Sequence, residues 1–197
     1  MEFVESFMKF SFCDEDLFRI EKDELVEETK GLKACECVVL LSNNIAFIEA
    51  KASAPRTDNI NAFSNFIEDI KLKFAHSLQL FTDIKSKVYG EEAFYRLPIN
   101  IQLDKSATNT YRIFLIIHGH RKDWLIGLLD ALRDAMREVV KQWNLRDSNI
   151  KVYNEEIALE NKIIVGYIPK VDLPLVKQTN GNAEPEKVEQ WFAEHLI

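Results

Sequence analysis

Residues 59–88 contain apolar side chains at alternating three- and four-residue steps, and this pattern limits the folds open to the chain. The repeating positions are Ile60, Phe63, Ile67, Ile70, Phe74, Leu78, Phe81, Ile84 and Val88. Because an α-helix turns every 3.6 residues, the pattern predicts one long amphipathic helix. Asp58 or Asn59 can cap its start, and Gly90 stands where a left-handed residue would end it. The apolar face must pack on the chain's own sheet or partly on a second copy, so a homo-oligomer stays open.

Shorter periodic segments surround this helix. A second apolar stripe predicts a helix over residues 122–143, and a third predicts a C-terminal helix after Pro185. Residues 35–41 and 45–51 are apolar and rich in β-branched or aromatic side chains, and the polar residues 42–44 between them predict a hairpin. Further strands are predicted at residues 17–20, 111–118, 150–153 and 162–168.

This order of elements predicts an α/β fold with a mixed central sheet flanked by helices. With 197 residues, 47% of them hydrophobic, the chain can bury one sizeable core, so a single domain over residues 1–197 is expected. No apolar run approaches the roughly 18 residues of a membrane-spanning helix, and residues 1–10 lack the features of a signal peptide. Three cysteines fit a reducing compartment better than a disulfide framework. We therefore expect a soluble, cytoplasmic protein.

The net charge of −7 argues against a protein that holds nucleic acid by bulk electrostatics, because phosphate binding rests on clustered Lys and Arg. The charge is unevenly spread, however. Residues 1–36 carry eleven acidic and five basic side chains, whereas residues 105–146 carry four acidic and eight basic ones. The basic stretch could form one wall of a phosphate-facing cleft, but an ordinary solvated helix face is the favoured interpretation.

An acidic residue two positions before a Lys occurs five times in the chain, so the local context must distinguish a functional occurrence. Within a helix, positions i and i+2 point in different directions and cannot converge on one ligand. In a strand they share a face, which favours Glu49 and Lys51 at the end of the second hairpin strand. These charges end a strand that is otherwise apolar enough to be buried, and that placement suggests a function.

The expected hairpin register brings a third charged residue to the same face. If residues 43–44 form a two-residue loop, Glu36 lies across from Lys51 and diagonal to Glu49. Diagonal neighbours lie about 7–8 Å apart at Cβ, which is near enough for two carboxylates to reach one divalent ion. Cys35 and Cys37 would then point to the opposite face as small buried hydrophobes.

The arrangement of an acid on one strand, Glu-x-Lys at the end of the next and a long helix immediately after it resembles the PD-(D/E)xK nuclease superfamily. The resemblance covers about residues 17–120 and places the motif on Glu36, Glu49 and Lys51. It implies a restriction-endonuclease-like α-β-β-β-α-β core, here with C-terminal helical and strand additions. The sequence departs from the namesake motif, because Glu36 follows Cys35 where that motif has Pro-Asp. The superfamily's further acid from an N-terminal helix has Glu21 as its weaker candidate.

The resemblance implies hydrolysis of phosphodiester bonds in DNA or RNA with Mg²⁺ or Mn²⁺, in a defence or repair system. Glu36 and Glu49 would bind the ion, and Lys51 would orient or deprotonate the attacking water. Three alternatives stay open, and one of them is a regulatory or antiphage component whose nuclease acts only after assembly. These three residues could form an exposed cross-strand ion pair worth under about 1 kcal/mol at the edge of the sheet. The fold could also be catalytically silent and serve as an interaction or scaffold subunit with a protein partner.

Other chemistry-bearing residues receive less support. His118 and His120 could share a metal, but no neighbouring Cys or acid completes a set, so ordinary strand-end histidines are favoured. On the long helix, Lys71, Lys73 and His76 could line the cleft, and Lys73 is the best candidate for a phosphate contact. A solvated helix face is the favoured interpretation of these three. No Gly-rich phosphate loop or Gly-x-Ser-x-Gly motif is present, so nucleoside-triphosphate and serine-esterase chemistry lack support.

Overall fold

A computed structural model describes residues 1–177 and 183–196 and contains two sheets flanked by helices. The larger sheet has five strands in the order β3-β4-β5-β6-β7. These strands are β3 (Leu17–Phe18), β4 (Cys37–Leu41), β5 (Asn44–Lys51), β6 (Arg112–Ile117) and β7 (Ile150–Asn154). Strands β3, β4 and β5 pair antiparallel, whereas β5, β6 and β7 pair parallel. The expectation of an α/β fold with a mixed central sheet is therefore confirmed.

A smaller antiparallel sheet was not expected from the sequence. It consists of β1 (Glu2–Glu5), β2 (Met8–Ser11) and β8 (Gly166–Tyr167) in that order. The strand predicted over residues 162–168 is therefore only two residues long, and it pairs in this sheet rather than in the central one. Its partner is the N-terminal hairpin, which lies far away in the sequence, so local periodicity could not reveal the pairing.

The described helices flank the sheets. They are α1 (Glu24–Glu28), α2 (Ile60–Lys85), α3 (Gly90–Tyr95), α4 (Ile99–Leu103), α5 (Lys122–Ala135), α6 (Arg137–Gln142), α7 (Glu155–Glu160), α8 (Leu173–Val176) and α9 (Pro185–His195). Helices α2 and α9 confirm two predictions. The helix predicted over residues 122–143 is interrupted at Met136 and becomes α5 and α6. None of the described helices combines the length and the apolar character needed to cross a membrane.

Helix α2 begins and ends within three residues of the predicted bounds, but the residue predicted to end it is wrong. The Asn59 side chain accepts a hydrogen bond from the backbone N–H of Ala62, as expected for an N-cap. After the helix, Lys87 rather than Gly90 is the first residue with left-handed backbone, at φ 60°. Gly90 instead begins α3.

The β4–β5 hairpin forms with a register two residues away from the expected one. Leu41 pairs with Asn44, so residues 42–43 form the loop instead of residues 43–44. A shift by two leaves the side chains of the paired strand residues on their predicted faces, because side-chain direction alternates with a period of two. It changes the cross-strand partner, however. Continued past the Cys37–Ile48 pair, this register sets Glu36 opposite Glu49 rather than opposite Lys51.

The two faces of the central sheet pack in separate cores. The face carrying Val38 and Phe47 packs against α2 and α5, whereas the opposite face packs against residues of the small sheet. Cys37 lies on this opposite face, as predicted, but Cys35 is buried in the α2 core, so its predicted orientation is wrong. The strand begins at Cys37 and the chain bends at Glu36, so strand alternation does not extend to Cys35.

Candidate functional site

A buried carboxylate lies at the centre of the site. Glu49 is on β5, which is flanked by β4 on one side and β6 on the other, and its side chain is fully inaccessible to solvent. Two ammonium groups compensate its charge. The Nζ atoms of Lys51 and Lys73 each lie 2.7 Å from Glu49 Oε1. The interpretation as an exposed edge pair is therefore wrong, because Glu49 lies on an inner strand inside the protein.

Glu36 is the second buried carboxylate and immediately precedes β4. It is 4% exposed, and its Oε1 atom lies 4.0 Å from the same Lys73 ammonium. Helix α2 holds the segment that carries it, because the backbone N–H of Cys35 donates a 2.8 Å hydrogen bond to the buried hydroxyl of Ser77. The site thus depends on contact between α2 and the entrance to the hairpin.

Burial and like charge act together on these acids. Burial, reinforced by the charge of Glu49, raises the pKa of Glu36 to about 9. Burial also raises the pKa of Glu49, although the charges of Lys73 and Lys51 oppose this effect. For Lys73, burial favours the neutral amine, but the carboxylates of Glu49 and Glu36 outweigh it and raise its pKa. These shifts favour the protonated form of Glu36 and the charged form of Lys73.

Two further acids from distant parts of the chain surround Glu36. Glu5 ends β1, Glu21 lies in a single turn of 3₁₀ helix at Ile20–Lys22, and one carboxylate oxygen from each of Glu5, Glu21 and Glu36 lies within 4.8 Å of the others. Arg19 links two of these acids. It donates hydrogen bonds of 3.3 Å to the backbone carbonyl of Glu36 and of 3.2 Å to Glu21 Oε1.

The N-terminal hairpin fixes the position of Glu5. Ser6 and Phe7 form a tight turn in which both residues have left-handed backbone, at φ 50° and 64°. The backbone N–H of Ser6 donates a 3.0 Å hydrogen bond to Glu5 Oε1, and the Phe7 ring is buried below the turn. Left-handed backbone is unfavourable for side chains such as Phe, so surrounding packing must maintain it.

The donor set fits a hard divalent cation. Glu36 Oε2 and Glu49 Oε2 are buried and have no hydrogen-bond donor in the described part of the chain. Buried carboxylate oxygens normally have a partner, and oxygen ligands are those that Mg²⁺ and Mn²⁺ prefer. Glu36 and Glu49, with Glu5 and Glu21 beside Glu36, are the residues that could hold such an ion.

The structure brings together the residues that the sequence singled out. Glu36, Glu49 and Lys51 lie close together, with Lys73 between the two carboxylates and Glu21 beside Glu36. The favoured interpretation of Lys73 as part of a solvated helix face is wrong, because its side chain is only 17% exposed. Sequence reasoning missed Glu5. The apolar residues Phe3 and Val4 before it are compatible with a strand, but no local signal points to Glu36.

The remaining candidates lie outside this cluster. Lys71 forms an ion pair with Glu68 at 2.9 Å, and His76 Nδ1 accepts a hydrogen bond from the backbone of Lys33. His118 is buried, with Nε2 2.7 Å from the carbonyl of Ile168. These contacts account for the three side chains through local structure.

Comparison of the chain with protein-family models, with curated proteins and with solved structures gives no match.

Proposed function

We propose that this protein hydrolyses phosphodiester bonds of DNA or RNA with a divalent ion, Mg²⁺ or Mn²⁺, through a PD-(D/E)xK-type site. One observation carries the proposal. Glu36 and Glu49 are both buried next to the Lys73 ammonium, each has an unpaired carboxylate oxygen, and Lys51 lies beside Glu49. Structural ion pairs rarely leave buried acceptors unsatisfied, whereas a cation site needs them free.

The arrangement of elements supports the same proposal. Strands β3, β4 and β5 are antiparallel, α2 follows β5 directly, and β6 returns parallel to β5. This agrees with the β-β-β-α-β part of a restriction-endonuclease-like core. The first helix departs from that order, because α1 lies between β3 and β4 rather than before the first strand. Glu21 accordingly comes from the turn before α1 instead of from a helix.

The residues have distinct roles in this proposal. Glu36 and Glu49 would hold the ion, with Glu21 and Glu5 completing the anionic set around Glu36. A bound divalent ion polarises the scissile phosphate and lowers the pKa of a coordinated water. The Lys51 side chain is 29% exposed, against 17% for Lys73, so Lys51 is the ammonium better placed to meet substrate from solvent. Lys51 would orient the attacking water and offset the negative charge that develops on the phosphate.

Lys73 has a supporting role. Its ammonium touches Glu49 and lies 4.0 Å from Glu36, so it limits repulsion between the two acids in the absence of metal.

The test is a cleavage assay on single- and double-stranded DNA and RNA with Mg²⁺ or Mn²⁺. Wild type is compared with Lys51→Ala and with the control Lys71→Ala, which removes a partly exposed lysine of α2 paired to Glu68. We expect Lys51→Ala to lower the cleavage rate about 10²–10³-fold, the usual effect of removing one group that stabilises transition-state charge. Lys71→Ala and wild type should cut equally, and EDTA should stop both. Equal cutting by Lys51→Ala would contradict the proposal.

A catalytically silent scaffold is the second candidate, and the double ion pair of Glu49 favours it. Two lysines already neutralise that carboxylate, as a purely structural role would require. Calorimetric titration with Mn²⁺ separates the candidates. The nuclease proposal expects binding that Glu49→Ala abolishes, whereas absence of both binding and cleavage would support the scaffold.

A further inference from the structure

Three neighbouring cavities that share lining residues lie near the carboxyl ends of the parallel strands, and Glu5 lines the first of them. The first, of about 510 Å³, is lined by Glu5 and Ala52, the residue after Lys51. The second, of about 330 Å³, shares Ala52 and reaches Trp124. The third, of about 320 Å³, shares Trp124 and ends at Arg56. We call these three cavities the strand-end groove. Open α/β sheets commonly bind ligands at this edge.

The second and third cavities of the groove carry two exposed cations that pair with no acid of the described chain. These are Arg56 and Lys170, which form no ion pair within the described residues. Two acids line the third cavity. Asp123 is paired with Arg121 at 2.7 Å, so Asp58 is the one acid there without an ion pair in the described chain.

The first cavity is lined by Glu5, Glu189 and Lys177, so the excess of unpaired cations is confined to the second and third cavities. In a chain of net charge −7, that local excess favours an anionic ligand around Trp124.

An aromatic surface lies among these cations. Trp124 is partly exposed, and the guanidinium carbons of Arg56 and Arg121 lie 4.5 Å and 5.1 Å from the centroid of its ring. The ring of His120 meets it edge-on, with centroids 5.5 Å apart. Unpaired bases stack on indole rings and on guanidinium planes, whereas a base inside a duplex cannot reach a ring within a cavity.

We propose that the strand-end groove binds a single-stranded segment of nucleic acid. One unpaired base stacks on the Trp124–Arg56 pair, and adjacent phosphates contact Arg56 and Lys170. The strand then continues past Ala52 toward Glu5 and the carboxylate cluster. This inference rests on the proposed nuclease function and deepens it, because it names the substrate class as a single strand or a duplex with a single-stranded end.

Binding is tested separately from cleavage, with EDTA present. Fluorescence anisotropy measures the affinity for labelled oligonucleotides of roughly 12 nucleotides, a length within the usual footprint of single-strand binding folds. The probes are single-stranded DNA, single-stranded RNA and a blunt DNA duplex. The variants are Trp124→Ala, Trp124→Phe, Arg56→Gln and Lys170→Gln. Lys30→Gln, which changes an exposed lysine on the far segment before β4, is the matched control.

We expect wild type to bind a single strand more tightly than the duplex, with the DNA and RNA probes showing which sugar is preferred. Loss of one stacking platform should weaken single-strand affinity about tenfold or more in Trp124→Ala, and less in Trp124→Phe. Arg56→Gln and Lys170→Gln should each reduce the slope of log affinity against log salt by about 0.7, the value for one single-strand phosphate contact. Lys30→Gln should change neither quantity.

Three results would overturn the binding proposal. They are equal affinity of wild type for single strand and duplex, no binding by wild type, and unchanged affinity in both Trp124→Ala and Arg56→Gln. The surface variant Arg56→Gln keeps the test decisive if Trp124→Ala fails to fold. The two proposals fail separately. If wild type binds single strands but cuts nothing with Mg²⁺ or Mn²⁺, the nuclease proposal is wrong and the binding proposal for the groove stands. If the protein cuts in a metal-dependent way but the groove variants leave its affinity unchanged, the nuclease proposal stands and the binding proposal for the groove is wrong.

Discussion

The ammonium nitrogen of Lys73 on α2 lies 2.7 Å from Glu49 Oε1 on β5, within the interface between the longest helix and the central sheet. Glu49 is fully buried, so this contact and the one from Lys51 supply its compensating charge.

Lys73→Ala should therefore lower the free energy of unfolding by about 2–3 kcal/mol, because it leaves a buried carboxylate with only one of its two cations. Urea denaturation of the metal-free protein measures the change. Lys71→Ala is the control on the same helix and should lose less than about 0.5 kcal/mol, because its pair with Glu68 is a helix-surface contact. Equal losses in the two variants would show that the buried pair adds no stability.

Divalent metal should stabilise the folded protein through Glu36. At a hundredfold excess of metal over its dissociation constant, binding to the native state adds about 2.7 kcal/mol, which appears as a rise in melting temperature. Glu36→Gln should remove most of this rise for both Mg²⁺ and Mn²⁺, because an amide supplies no charge to the ion. Glu28→Gln, which alters an exposed acid of α1, should retain it. A full rise in Glu36→Gln would place the ion at another site.

Stability of the metal-free protein should fall as the pH rises from 4.5 toward 9. The pKa of Glu36 is raised from its ordinary value of 4.5 to about 9 in the folded state, first by burial and then by the charge of Glu49. Between these values the folded protein holds a proton that the unfolded chain has released, so raising the pH favours unfolding. We expect a loss on the order of 1–3 kcal/mol across this window.

Glu36→Gln should flatten this pH dependence and be more stable than wild type at pH 8, since the amide cannot ionise. Denaturant titrations at several pH values measure the slope, with Glu28→Gln as the exposed control. A wild type whose stability rises over the same window would contradict the raised pKa.

The β4–β5 turn provides a test that does not involve the charged cluster. Ser42 has left-handed backbone at φ 56°, whereas Asn43, the other loop residue, is not among the residues with positive φ. This is the pattern of a two-residue turn that favours Gly at its first position. Ser42→Gly should raise the free energy of unfolding by about 0.5–1 kcal/mol, and Asn43→Gly should lower it by a similar amount. The opposite order in thermal denaturation would indicate a different turn.

Much of the α/β fold follows from local sequence patterns. The apolar period of α2 and the hairpin strands β4 and β5 were predicted because each buries one side along its whole length. The small sheet was not, since β8 consists of two residues that pair with β2 across more than half of the chain. The hairpin register also escaped prediction, because several polar residues between the strands allowed more than one two-residue turn.

For the candidate site, the sequence alone predicted that Glu36, Glu49 and Lys51 lie close together. That prediction survived a wrong register for Glu49 and Lys51, because side-chain direction in a strand depends only on whether positions are odd or even. The tertiary structure decided the rest. Packing of α2 on the sheet brought in Lys73, and docking of the N-terminal hairpin brought in Glu5. Such contacts depend on how separate elements rotate and pack against one another, which no local period encodes.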